Sequence, residues 1–278
     1  MPPAVFATVL FAAALHAAWN AIVKAADDKL LTTVLVAAGG ALIAVAALPF
    51  LPQPASASWP FIAGSTGLQA IYLLLVARTY RLADMSLAYP LMRGTAPLLV
   101  ALASSLFLAQ PLSAPAWLGV GTICVGVLAM AFGAVRGGDR AGLSAALLNA
   151  VVIAGYTLID GAGVRRSGSP AAYVLWLNLT SGAPLIVWAL ARRRAALFAY
   201  AQRRWPAGLA GAVGTTASYG LALWAMTLAP VAVVAALRET AIVFGAAISG
   251  LLLRERVGPA RILAAGTIAA GAVILRLG

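Results

Sequence analysis

The sequence predicts an all-α integral membrane protein: ten transmembrane helices, arranged as two inverted five-helix repeats around a central cavity. Three observations carry this. Of the 278 residues, 63% are hydrophobic and only 9% charged, with a mean hydropathy of +0.98; a water-soluble domain is usually about half apolar and about a quarter charged. Ten apolar runs are long enough to cross a bilayer. A shift of the chain by 145 residues lays the fourth run over the ninth without a gap.

A span needs about 20 mostly apolar residues, because the hydrocarbon layer is about 30 Å thick and a helix rises about 1.5 Å per residue. Segments at 4–23, 30–51, 60–77, 85–108, 115–135, 141–159, 171–191, 206–227, 231–252 and 260–277 meet that test. The gaps hold breakers and charges, as in KAADDK, LPQPASASWP, VRGGDR and RERVGPAR. Only the gap after the seventh segment, ARRRAALFAYAQRRWP, has any length, which leaves no room for a soluble domain. The first run lacks a basic n-region and a clear cleavage site, so it reads as a retained helix rather than a signal peptide.

Lys and Arg number 19 against 7 Asp and Glu, for a net charge of +12. In a soluble protein that excess would suggest nucleic acid. Here the cations sit in short gaps, as topology signals do, and no nucleic acid partner is expected. Lys24, Lys29, Arg78, Arg81, Arg136 and Arg140 follow odd-numbered segments, as do Arg192, Arg193, Arg194, Arg203, Arg204, Arg254, Arg256 and Arg261. The other face has Arg165, Arg166 and Arg276. That bias puts both termini on the non-cytoplasmic side of a bacterial inner membrane. Cys124 is the single cysteine, in an apolar run, and reads as a structural thiol.

The 145-residue shift places Arg93 on Arg238, Ala96 on Ala241, Ser104 on Ser249 and Leu106 on Leu251. Gly121, Thr122, Ile123 and Gly126 fall on Gly266, Thr267, Ile268 and Gly271. The two copies are assigned to residues 1–136 and 141–278. Five spans per half is odd, so the second copy must be inverted relative to the first. Inverted repeats build many secondary transporters, with the site at their interface near the midplane.

Polar residues within the spans are the site candidates. An arginine at the bilayer centre costs at least about 2.5–3.5 kcal/mol, so it is normally paired or faces a watery cavity. Arg93 and Arg238 both fall near the midplane. Glu239 cannot face Arg238, since neighbours i and i+1 point apart on a helix, and its expected partner is Arg93. The pair either clamps the halves together or lines the cavity. His16 and Asn20 are i,i+4 neighbours with Trp19 beside them; His16 makes protons a candidate coupling ion, against a polar contact that only packs. Tyr156 and Asp160 repeat that spacing near the end of the sixth segment, with Asp160 either functional or simply at the membrane interface. Mid-segment Tyr72, Tyr89, Trp176, Tyr219 and Trp224 suit a pocket for a partly apolar ligand. Trp59, Trp117 and Trp205, near segment ends, read as interfacial anchors. The glycine-rich faces GVGTICVG and GTIAAGAV read as close helix packing.

Enzyme signatures are missing from the sequence: there is one histidine, no HExxH, no GxSxG and no phosphate loop. No metal or other cofactor is expected.

HAAWN in the first run, TAPLLVALASSLFLAQPLSAPAWLGVGTICVG and IVFGAAISGLLLRERVGPARILAAGTIAAG resemble the drug/metabolite transporter superfamily, in its EamA-type ten-helix branch. The resemblance implies alternating-access transport of small metabolites, with export of amino acids, aromatic or other neutral ones, as the first comparison. Arg93 or Arg238 would then meet a carboxylate and the aromatic residues a side chain. Sugars, nucleosides and nucleotide-sugars are the alternative cargo, and a membrane-embedded enzyme a remote one. A monomer or weak dimer would suffice. In that branch a glutamate commonly follows the fourth and ninth spans; Glu255 fits, while Gln110 replaces the other. Small multidrug relatives exchange protons at a first-span carboxylate, but this chain has no acid before Asp27, so that mechanism does not carry over.

Overall fold

The computed structural model describes residues 1–131, 140–251 and 258–278; Arg136, Arg254, Glu255 and Arg256 fall outside them. All regular structure among the described residues is helical. The helices are α1 (Pro3–Lys24), α2 (Lys29–Ala47), α3 (Trp59–Leu82), α4 (Met85–Phe107), α5 (Ala114–Ala129), α6 (Arg140–Ser167), α7 (Pro170–Arg192), α8 (Arg194–Leu228), α9 (Val231–Arg238), α10 (Ala241–Leu251) and α11 (Pro259–Leu277). With α9 and α10 taken as one broken span, eight helices among the described residues are long and apolar enough to cross a membrane. The shorter apolar α5, and α8, which is long but less apolar than those eight, bring the number of helices that the sequence assigns to spans to ten. The chain is a multi-pass membrane protein.

Two elements depart from the sequence reading. The gap after the seventh segment is helical from Arg194 on, so α8 runs unbroken for 35 residues through Pro206. RAALFAYAQRR is made largely of strong helix formers. Leu197 in it is buried with Leu31, Val34 and Ala189, and the Tyr200 hydroxyl lies 2.7 Å from that of Thr32. The ninth segment is not continuous. Glu239 and Thr240 form a tight turn in which their N–H groups donate to Ala236 and Leu237, three residues back, both at 3.0 Å. The Thr240 hydroxyl also donates to the Leu237 carbonyl at 2.7 Å, a local bond that competes with the helical ladder.

Helices from opposite halves pack most extensively as α5 with α11, α3 with α6, α1 with α8, α4 with α6, α2 with α8 and α2 with α7; a symmetric set within the bundle is α1 with α8, α3 with α6, α2 with α7, α4 with α9, and α5 with α11. Exchanging first-half helices for their counterparts in order turns α1–α8 into α6–α3 and leaves the last three pairs unchanged. One end of the bundle is filled solid. Every residue from Val231 to Leu237 is buried there, against Val5, Val9, Val100, Ile123, Val174 and Leu223. Two side chains finish the helix ends in this region. Gln110 accepts from the Val231 N–H at 3.0 Å, and Arg165 donates to the carbonyls of Met226 and Ala229, both at 2.7 Å.

The α5–α11 pair shows how closely the backbones approach. A Cβ on Gly271 would lie 2.8 Å from the Ile123 nitrogen and 2.9 Å from the Gly119 oxygen, whereas one on Gly266, in the same GTIAAG run, would meet open space. Gly271→Ala is therefore expected to destabilise the detergent-solubilised protein by about 1–3 kcal/mol, as overpacking does. Gly266→Ala is expected to be neutral or mildly stabilising in the same thermal-unfolding assay. Equal effects of the two substitutions would mean that the α5–α11 contact contributes nothing to stability.

Candidate functional site

A cavity of about 350 Å³ lies among eight of the spans, and polar residues at helical spacing build much of its wall. α1 turns His16, Trp19 and Asn20 into it. The Asn20 amide donates to the His16 carbonyl at 2.7 Å, the Trp19 indole N–H to His16 Nδ1 at 3.4 Å, and the two rings meet edge to face. α4 supplies Tyr89 and Arg93, one turn apart on one face. Tyr72 from α3 and Tyr156 from α6 stand edge to face with centroids 6.0 Å apart. Tyr219 on α8 and Arg238, the last residue of α9, complete the wall.

Depth along the helices locates the cavity. α1 contributes from its second half, α2 from Thr33 to Gly40 near its start, α4 from its first half and α7 from Asn178 to Leu185. All these parts lie between the middle of the bundle and the end that carries Lys24, Lys29, Arg78, Arg81 and Arg192. Access is from that cationic end, and the packed half around α9 closes the other.

At the floor of the cavity Arg93 and Glu239 meet across the two halves. Arg93 Nε donates to Oε2 at 3.0 Å and Nη2 reaches Oε1 at 2.8 Å, a two-pronged pair with side chains 15% and 5% exposed. The turn after α9 makes this possible, since it directs Glu239 toward α4 while Arg238 faces the cavity. Arg238 has no ion pair or hydrogen bond among the described residues. Its guanidinium instead stands over the Tyr219 ring, 5.1 Å from the centroid.

Asp160 does not reach the membrane interface: it is fully buried, behind the cavity wall. The Tyr173 hydroxyl donates to Oδ1 at 3.1 Å, and the Tyr219 hydroxyl donates to Oδ2. Of the sequence candidates, Glu239 meets Arg93 just beneath the cavity wall, and Trp176 and Trp224 are not brought to the cavity. Trp176 donates to the Gln53 side chain at 2.9 Å and packs on Trp59, near the end of the span. Trp224 is 38% exposed, on the outside of α8. The structure adds Gln69, Asn178, Ser181, Thr215 and Ser218 to the wall. Asn178, Ser181, Gly182 and Leu185 recur at i, i+3, i+4 and i+7, a stripe legible in LNLTSGAPL. Among the described residues no group of three or more His, Cys, Asp or Glu could hold a metal ion.

Residues 140–277 match the model of the EamA-like transporter family. A solved crystal structure superposes with a TM-score of 0.72 over 98% of this chain and 95% of its own, at 21% identity, a likeness of fold. No curated protein sequence matches.

The buried pair yields a stability prediction. Glu239→Gln leaves the Arg93 charge without its counter-ion and is expected to cost about 3–5 kcal/mol, as does Arg93→Leu for the carboxylate left behind. Removing both charges, in Arg93→Leu with Glu239→Leu, is expected to recover most of that loss in detergent unfolding curves. A double variant no better than the worse single would show that the two side chains do not act as a pair.

Proposed function

We propose that this chain, which belongs through residues 140–277 to the EamA-like transporter family, moves small zwitterionic or anionic metabolites, amino acids first among them, out of the cell. Membership makes it a small-molecule transporter of the drug/metabolite type embedded in a lipid bilayer. The choice of amino acids rests on one observation. Of the two cavity arginines, Arg93 is taken by Glu239, whereas Arg238 faces the cavity with its charge balanced by no contact acid.

The assignment of roles follows from chemistry. A ligand carboxylate meets Arg238 by a charge-assisted bond, strong in a site of low dielectric. Tyr72, Tyr89, Tyr156 and Trp19 offer an apolar wall for a side chain, and Asn178, Ser181 and Thr215 offer hydrogen bonds for an ammonium or other polar group. A volume of about 350 Å³ is at the small end of ligand sites, which suits a metabolite of amino-acid size. We take residues 1–136 and 141–278 as the two repeats, and the positive-inside rule puts the cationic end in the cytoplasm of a bacterial inner membrane. The cavity then faces the cytoplasm, in the state that loads cargo for export, and one chain encloses it.

Flux of radiolabelled amino acids through proteoliposomes tests this. Neutral and aromatic amino acids are expected to move, and Arg238→Gln to lower the rate about 10- to 100-fold, the equivalent of one charge-assisted bond of about 1.5–3 kcal/mol. Absence of flux for every amino acid with well-folded protein would remove the substrate class. Competition by phosphorylated sugars or nucleotides instead would assign Arg238 to phosphate.

A further inference from the structure

The cavity wall accounts for Arg93, Glu239 and Arg238, but not for Asp160. It is the remaining acid at membrane depth among the described residues, and no cation touches it. Its surroundings come from four other helices: Tyr173 on α7, Tyr219 on α8, Ser65 on α3 and Arg238 on α9, with Tyr156 one turn earlier on its own helix. The two tyrosines donate to its two oxygens, while Arg238 acts on it only through space, across the Tyr219 ring. The neighbouring Gly161 backs directly onto Val231, so Asp160 lies between the cavity and the closed end of the bundle.

We propose that Asp160 is the proton-binding site of this transporter, linked to the cavity by Tyr219. An ionised carboxylate buried without a contact cation is costly, and taking a proton is the usual way out. Tyr219 contacts both compartments, since it lines the cavity and bonds Asp160. For uptake, a hydronium ion reaching the cavity gives its proton to the Tyr219 oxygen as the Tyr219 hydroxyl proton passes to Oδ2, which leaves a neutral tyrosine and one water; release runs the same transfers backwards.

The charges around the site give the linkage a sign. With Asp160 ionised, Arg93, Arg238, Glu239 and Asp160 sum to zero; with it protonated, they carry one net positive charge. A ligand carboxylate on Arg238 balances that charge, so proton and carboxylate favour each other's binding and cross together. An exporter built this way runs outward against an inward proton gradient only when the internal metabolite is in large excess, which makes it an overflow valve. The linkage to cargo rests on the transporter reading above, whereas the proton site itself does not.

Two measurements on the full-length protein test the proposal. In pH-difference infrared spectra of reconstituted protein, a buried carboxyl C=O band is expected to appear on acidification. It should vanish in Asp160→Asn and change frequency, without vanishing, in Tyr219→Phe, which keeps the ring and serves should Asp160→Asn fail to fold. No such band, or a band that survives in Asp160→Asn and is unmoved in Tyr219→Phe, overturns the site. In proteoliposomes loaded with labelled phenylalanine or leucine, a gradient of about one pH unit should drive up to about tenfold accumulation on the side to which protons flow. Asp160→Asn should lose that accumulation and keep amino-acid exchange. Flux indifferent to the gradient, or accumulation on the opposite side, overturns the linkage. A titrating Asp160 band with no amino-acid flux keeps the proton site and removes the amino-acid reading instead.

Discussion

Charge in the middle of an apolar bundle is the constraint on which the rest of this molecule depends. A lone guanidinium or carboxylate is not sustained there, so each must find a pair, an aromatic face, hydrogen-bond donors or water. Arg93 and Glu239 satisfy each other, and that requires helices from opposite halves to cross at one level. Glu239 can turn to α4 while Arg238 turns to the cavity because the helix breaks between α9 and α10. Asp160 is held by two phenols, and Arg238 stacks on one of the same rings. Spans, break and cavity all follow from housing four charges.

Much of this architecture is legible in the residues. Apolar runs mark the spans, since a helix is the economical way to satisfy backbone groups in lipid. The matched GTI motifs and the paired arginines mark the duplication, and the i,i+1 rule directs Glu239 away from Arg238, although a turn and not a continuous helix is what separates the two. Spacing on single helices gathers His16, Asn20, Tyr89 and Arg93, because an i,i+4 pair shares a face whatever the neighbours do.

What escapes the sequence depends on neighbours. Trp176 and Trp224 sit in apolar runs as Tyr219 does, but which side of a uniformly apolar helix faces inward is decided by partners far away in the chain, such as Gln53 for Trp176. Asp160 has the spacing of a surface carboxylate near a helix end, and only the arrival of Tyr173 and Tyr219 shows it to be buried. The helical start of α8 was hidden by its charges. Arg194, Arg203 and Arg204 suggest a loop, yet Leu197 and Tyr200 between them dock on α2.

The break after α9 carries a mechanical consequence. A continuous span can only tilt as a rod, so unsealing one face would drag its other end through the opposite face. Val231–Arg238 is instead a stub of 8 residues, set off from α8 by Ala229–Pro230 and from α10 by a two-residue turn, with the Gln110 side chain on its first N–H. A short segment bounded by bends at both ends can change its tilt through rotations at a few backbone bonds without tilting α10. The same turn that aims two charges therefore uncouples the packed end of the span from the rest of it.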